Sequence, residues 1–310
     1  MKKYLLLLRI DHWIKQLFVL PGVVCALFFF KDGLDEPLRL VCATLAGLFF
    51  TSVIASANYV INEFLDARYD RFHPTKKTRS AVVSHVKGSV VWLMWLVLSL
   101  VGLTGGMFVN KPFALCLAVL WLMGLIYNVK PIRSKDITYV DVLSESLNNA
   151  LRLLLGWFVV TDSALPPCSI VLGFWMSGAF LMATKRLAEY RMIGSHELAV
   201  KYRKSFSDYS ETKLLCTIFF YGMTSMMLIG TFLVKYRIEL LLFIPFLSAL
   251  YCYYLYIAYK RDSCVQKPEK LYHERGLMLF CLLLTVLFCA LLFINIPQLG
   301  VFTSNELIPL

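Results

Sequence analysis

The chain has 310 residues, 59% of them hydrophobic and only 16% charged, with a mean hydropathy of +0.68. A soluble domain is usually about 45–50% apolar and about 25% charged, so the composition excludes an ordinary soluble globule and leaves length for roughly eight to ten apolar spans. The net charge of +11 raises nucleic acid as a partner, but the basic residues gather in alternate loops between apolar runs, which speaks for membrane topology and against nucleic acid.

In chain order, Met1-Lys2-Lys3 and a leucine run resemble a secretion signal, but Arg9, Asp11, His12 and Lys15 interrupt the apolar stretch, so no cleavable signal is expected. An amphipathic segment over 1–16, anchored by Trp13, is predicted to lie along the interface. Nine spans follow, near 17–31, 39–62, 88–109, 113–128, 139–160, 169–188, 215–234, 239–259 and 276–295. Of the 31 Lys and Arg residues, 25 fall in 1–16, 63–87, 129–138, 185–214 and 260–275, all on one side of that arrangement. The positive-inside rule places the N-terminus and the large loops 63–87 and 185–214 in the cytoplasm and the C-terminus outside. The expectation is an all-α, polytopic membrane protein of about nine transmembrane helices, one integral unit over 1–310 in the cell (inner) membrane. The nine cysteines are scattered without a C-x-x-C pair and read as small buried residues.

Charges beside hydrocarbon are costly and usually functional. At the end of the second span, Asn62-Glu63-x-x-Asp66-x-x-x-Asp70 puts Asn62, Asp66 and Asp70 on one helical face, four residues apart. A column of oxygen donors suits Mg²⁺, which binds one or two carboxylates and shares its remaining shell with phosphate and water. The basic run that follows, Arg71 to Arg79 with Lys76 and Lys77, supplies the cations of a polyphosphate site. The fifth span carries Asp141, Glu145, Asn148 or Asn149, and Arg152 on one face. Arg152 is read as an anion-binding group at the floor of a cavity, with a structural pairing to Asn148 or Asn149 as the bland alternative. A second basic–acidic segment, Lys185-Arg186-x-x-Glu189, ends the sixth span.

Asn62-Glu63-x-x-Asp66-x-x-x-Asp70 resembles the acidic signature of the UbiA superfamily of intramembrane prenyltransferases. Asp70-Arg71-x-His73-Pro74-Thr75-Lys76-Lys77-x-Arg79 is similar, more narrowly, to the decaprenyl-phosphate phosphoribosyltransferase subgroup. So are Trp13-Ile14-Lys15-Gln16, Tyr127-Asn128-x-Lys130 with Lys135-Asp136, and Lys185-Arg186-x-x-Glu189. The similarity runs from about residue 8 to about residue 215. Glu63 departs from the usual Asp, Ser80 from Pro, and Ser84-His85 from a small residue followed by Gly.

The resemblance implies an all-helical membrane bundle of about nine transmembrane helices around a cytoplasm-facing cavity, and Mg²⁺-dependent transfer of 5-phosphoribose from phosphoribosyl pyrophosphate to a polyprenyl phosphate, with release of pyrophosphate. Asp66 and Asp70 would be catalytic and hold Mg²⁺, with Asn62 and Glu63 in the outer shell. Lys76, Lys77 and Arg79 would clamp phosphate, and Lys185 and Arg186 would take the sugar 5-phosphate or the acceptor phosphate. Lys15 or Arg152 would orient the acceptor. Arg71, Tyr127, Lys130, Lys135, Asp136, Asp141 and Glu189 complete the expected substrate-binding set. Two other readings stand beside this one. The first is a UbiA-type prenyltransferase moving a prenyl group from a prenyl diphosphate to an aromatic or other acceptor. The second is a lipid-phosphate transporter or binding protein, disfavoured because the polar residues cluster toward one face and no inverted repeat is visible. Membrane lipid is an expected partner, and a homo-oligomer is compatible with the sequence.

Overall fold

The computed structural model describes residues 2–72, 77, 79–83, 86–260, 263–266, 271 and 273–302. Its nine main helices are α1 (Leu20–Phe29), α2 (Pro37–Asp70), α3 (Gly88–Met107), α4 (Lys111–Asn128), α5 (Val140–Val160), α6 (Cys168–Ile193), α7 (Glu211–Tyr236), α8 (Ile244–Tyr259) and α9 (Arg275–Phe293). Among the described residues there is no strand. Helix boundaries follow local chemistry. The Asn110 side chain caps α4 by accepting from the Phe113 amide at 2.8 Å, and Ser210 does the same for α7 from Lys213 at 3.2 Å. Gly194 at φ +69° ends α6.

Eight stretches among the described residues are long and apolar enough to cross a membrane. The first runs from Lys3 to Phe29, earlier than the predicted 17–31, because the N-terminal segment folds onto α2 rather than lying apart from the bundle. Ser56 on α2 donates to the Leu8 carbonyl and accepts from Trp13 Nε1, both at 2.9 Å, and His12, Gln16 and Val19 are buried. Helix α2 continues to Asp70, eight residues past the predicted end, so the whole acidic motif is helical.

Helix α5 is not among the eight, since Asp141, Glu145, Asn148, Asn149 and Arg152 lower its hydropathy. It crosses at the centre of the bundle instead, surrounded by protein. Leu151, Leu155, Trp157 and Phe158 pack with α1, α2 and α4, Leu153 packs with α6 and α7, and Val142 joins the cluster of α6, α7 and α8. Peripheral helices α3 and α9 carry the opposite pattern, with Leu93, Leu96, Leu100, Leu279, Leu282 and Val286 exposed toward what would be hydrocarbon.

Helices α1 and α5 touch backbone to backbone. A Cβ on Gly22 would stand 2.0 Å from the Leu153 carbonyl oxygen, and one on Gly156 would stand 1.9 Å from the Val19 carbonyl oxygen. Neither neighbour is a side chain that could rotate away. Small residues that let helices approach this closely are a main source of packing between membrane helices. Gly156→Ala is therefore expected to cost at least the ~3 kcal/mol at the upper end of overpacking, read as a lowered melting temperature of the detergent-purified protein. An unchanged melting temperature would contradict this contact.

Candidate active site

The last two turns of α2 form one wall. Asp66 and Asp70 are 8% and 2% exposed, yet each carboxylate is matched by a cation from a loop. Asp70 Oδ2 pairs with Arg79 Nη1 at 2.6 Å, which brings the chain after α2 back over the helix end. The short helix Ser80–Val83 then rests on Glu63, whose Oε1 accepts from the Ala81 amide at 3.3 Å. Burial works against the Arg79 charge, but Asp70, Tyr202 and Glu63 hold its pKa above the ordinary arginine value.

The loop between α4 and α5 forms the second wall. Arg133, at φ +34°, and Lys135 both reach Asp66 Oδ1, at 2.9 and 2.5 Å. Arg133 also pairs with Asp136 at 3.0 Å, donates to the Asn128 carbonyl at 3.2 Å and lies over the Tyr69 ring. A left-handed non-glycine residue costs about 1–3 kcal/mol, offset here by this set of buried contacts. Lys135 donates to Asn128 Oδ1 at 2.7 Å, and the same oxygen accepts from Asn62 Nδ2 at 2.5 Å. Burial pushes the Lys135 pKa down to about 8, with Arg133 and Arg203 adding to the repulsion and Asp66 opposing them.

The third wall joins α5 to α6. Arg186 has 0% exposure and binds three carboxylates: Asp141 and Glu189 at 2.9 Å each, and Glu145 at 2.5 Å. Tyr127 donates to Glu145 Oε2 at 2.8 Å and accepts from Arg203 Nη1 at 3.1 Å. Tyr209 and Ser205 donate to the Asp141 oxygens at 2.9 and 3.1 Å. Lys185 meets Glu145 at the longer distance of 3.3 Å, with a side chain 15% exposed. The Tyr127 ring, 5.6 Å from Lys135 Nζ, links this cluster to Asp66.

Thirteen of the anticipated residues thus converge on one end of the bundle: Asn62, Glu63, Asp66, Asp70, Arg79, Tyr127, Lys130, Lys135, Asp136, Asp141, Lys185, Arg186 and Glu189. Lys130 is exposed and lines an open groove of about 510 Å³ with Phe64, Trp92, Asn128 and Arg133. The others are placed differently. Arg71 is exposed and donates to the Arg68 carbonyl of its own helix at 2.7 Å, because the turn after α2 carries it outward. Lys77 is exposed, and Lys76 lies outside the described residues, as does His73. Arg152 and Lys15 belong to a separate layer: Arg152 donates to Gln16 and Asn149, and Lys15 contacts His12 at 2.8 Å. Arg133 and Arg203 were not anticipated. Arg133 reads as an ordinary positive-inside loop residue and Arg203 only as part of the basic segment 185–213, and the packing of their loops brings each to its carboxylate.

Mg²⁺ fits this donor set. Asp66 and Asp70 are hard oxygen donors one helical turn apart, and among the described residues no group of three or more His, Cys, Asp or Glu side chains is placed to hold a metal ion. A cation there would rest on two carboxylates and complete its shell from phosphate and water, as Mg²⁺ does.

A multi-span helical bundle with buried charges gathered at one end defines an integral membrane protein. The chain belongs to the UbiA prenyltransferase family, whose model matches residues 18–282. It is 30% identical over 215 residues to the nodulation protein NoeC of Azorhizobium caulinodans, covering 67% of this chain and 64% of that protein. It is 26% identical over 208 residues to decaprenyl-phosphate phosphoribosyltransferase of Mycobacterium tuberculosis, covering 67% of this chain and 66% of the enzyme. The chain therefore spans just under two thirds of the length of these relatives. In fold it is similar to a UbiA homolog from Archaeoglobus fulgidus solved with DMAPP and Mg²⁺, with a TM-score of 0.67, 19% identity, and coverage of 92% of this chain and 99% of that one.

Arg186→Met removes the cation that meets two fully buried carboxylates, Asp141 and Glu189, at 2.9 Å. Breaking such a pair costs about 3–5 kcal/mol, so this variant should melt well below the parent. Lys185→Met, in a longer and partly open contact, should melt close to the parent. Equal melting of the two would overturn the structural assignment of Arg186.

Proposed function

We propose that the protein transfers 5-phosphoribose from phosphoribosyl pyrophosphate to a polyprenyl phosphate, releasing pyrophosphate. The observation that carries this reading is the charge on α6. The helix facing the Asp66–Asp70 wall presents a partly exposed Lys185 at its open edge, and its neighbour Arg186 consumes the available carboxylates. A second carboxylate-bound metal has no donors left there, whereas a substrate with an extra phosphate has a cation to meet. The Asp70–Arg79 motif and the similarity to mycobacterial decaprenyl-phosphate phosphoribosyltransferases support the same reading.

In the transfer, the bond between the anomeric carbon and the pyrophosphate oxygen breaks, and its electron pair leaves with pyrophosphate. A phosphate oxygen of the acceptor forms the new bond to that carbon. Asp66 and Asp70 would hold Mg²⁺, which when bound neutralises the leaving pyrophosphate. Arg133, Lys135 and Arg79 sit on those same carboxylates, so these three cations stand where the phosphate oxygens of a bound pyrophosphate would meet them. Lys185 would meet the sugar 5-phosphate. The acceptor phosphate is already anionic near neutral pH, so no strong general base is needed. Charge placement in the loops supports a cytoplasmic site, where a water-soluble donor can enter.

The test is Mg²⁺-dependent passage of label from phosphoribosyl pyrophosphate into the lipid phase with purified protein and polyprenyl phosphate. Removing a group that stabilises developing charge typically costs about 10²–10³-fold, so Asp66→Ala and Asp70→Ala should lose at least that much turnover. Near-normal rates in either variant would sink the assignment. Inactivity with phosphoribosyl pyrophosphate, but turnover of a prenyl diphosphate with an aromatic acceptor, would move the protein to the prenyltransferase reading.

A further inference from the structure

The ionic side chains of the bundle interior fall into three sets. In the first, Asp66, Asp70 and Asp136 face Arg79, Arg133 and Lys135. In the second, Asp141, Glu145 and Glu189 face Lys185, Arg186 and Arg203. Glu63, buried beside Arg79, adds a fourth acid to the first set and the second is three against three, so in neither do the cations outnumber the acids. The third set holds Arg152, 9% exposed, and no acid.

Arg152 is bound by neutral oxygens: Nε donates to Gln16 Oε1 at 2.8 Å, and Nη1 donates to Asn149 Oδ1 at 3.1 Å. A guanidinium has five N–H donors, so three remain after these two contacts. Gln16 is 1% exposed, and its Nε2 has no hydrogen-bond partner. A buried donor left in this way costs about 1–3 kcal/mol, and a lone buried cation costs more. The six cations of the other sets each meet a carboxylate. Together Arg152 and Gln16 present a guanidinium held only by neutral oxygens and one buried, unpartnered amide N–H, and no carboxylate pairs with either among the described residues.

Their depth fits a second substrate. Arg152 lies seven residues beyond Glu145 on α5, about 10 Å along the helix axis. Glu145 binds Tyr127, whose ring borders the lysine on Asp66. The anion-seeking group therefore sits about two helical turns deeper along α5 than the groups that reach Asp66. Its lining helices, α1 and α5, are locked by the Gly22 and Gly156 contacts, which fixes the Gln16 segment against Arg152.

We propose that Arg152 and the Gln16 amide form the subsite for the anionic headgroup of the lipid acceptor, a phosphate monoester. The proposal rests on the phosphoribosyl reading for the donor, but not for the headgroup itself. The guanidinium binds two phosphate oxygens, the Gln16 N–H a third contact, and the isoprenoid tail leaves toward the lipid.

The test uses full-length, detergent-purified protein with farnesyl phosphate and farnesol as probes. Wild-type protein is expected to bind farnesyl phosphate more tightly than farnesol. Arg152→Gln should weaken farnesyl phosphate roughly tenfold or more, the scale of hydrogen bonds to a charged group, and leave farnesol unchanged. In the transfer assay, the KM for the lipid phosphate should rise by a similar factor while that for phosphoribosyl pyrophosphate moves less than about twofold. If wild type transfers nothing from phosphoribosyl pyrophosphate, the donor reading fails and the binding comparison alone decides the subsite. Equal binding of farnesyl phosphate by Arg152→Gln and wild type, both folded by thermal melting, overturns it. If Arg152→Gln does not fold, Arg152→Lys and Gln16→Ala take its place. A selective loss of lipid-phosphate affinity in either supports the subsite, and unchanged affinity in both overturns it.

Discussion

Everything at the polar end of this bundle depends on Arg186 being held by Asp141, Glu145 and Glu189. A cation with no solvent contact inside a membrane protein must find its counter-charges within the protein. Here they come from α5 and from α6 itself. That requirement fixes the rotation of α5, the most polar helix, and forces it to the protected centre. It also fixes two loops. Tyr209 and Ser205 reach Asp141 from the segment after α6, while the Tyr139 amide donates to Tyr209 and Thr138 donates to the Ser205 carbonyl, both at 2.9 Å. The loops before α5 and after α6 are thereby cross-linked over one carboxylate.

The same arrangement shows how the charge carried by one helix can be set without disturbing the architecture around it. The α2 carboxylates keep their column and their neighbouring cations. On α6 an arginine absorbs the acids and leaves a lysine at the edge. That placement sets which anions are welcome while every helix keeps its place. Cations that rest on Asp66 and Asp70 also need not travel far to meet a phosphate, so the site is preorganised for charge it has yet to receive.

Much of this was legible in the sequence, for identifiable reasons. Nine helices follow from apolar run length, and the acidic column from a spacing of four, since hydropathy and helical period act locally. The α5 face was visible because Asp141, Glu145 and Arg152 are conspicuous in an apolar span. Legibility ended where tertiary packing decides. Arg133 and Arg203 look like any loop arginine until their loops fold inward. Arg186 reads as a phosphate ligand beside Lys185, yet a rotation of 100° between neighbours puts one in the core and the other at the edge. The N-terminal segment looked interfacial from its charges, but Ser56 and Trp13 draw it against α2.

The contact of Gly22 with Leu153 and of Gly156 with Val19 joins segments about 130 residues apart. At about 5–20 residues per second of synthesis, the first helix leaves the ribosome roughly 7–26 s before its partner exists. Until then, one flank of α1 has no protein neighbour and must be shielded by lipid or by the insertion machinery. The bundle's first helix thus cannot reach its final seat before α5 is made, and biogenesis has to tolerate an unfinished N-terminal half for that long.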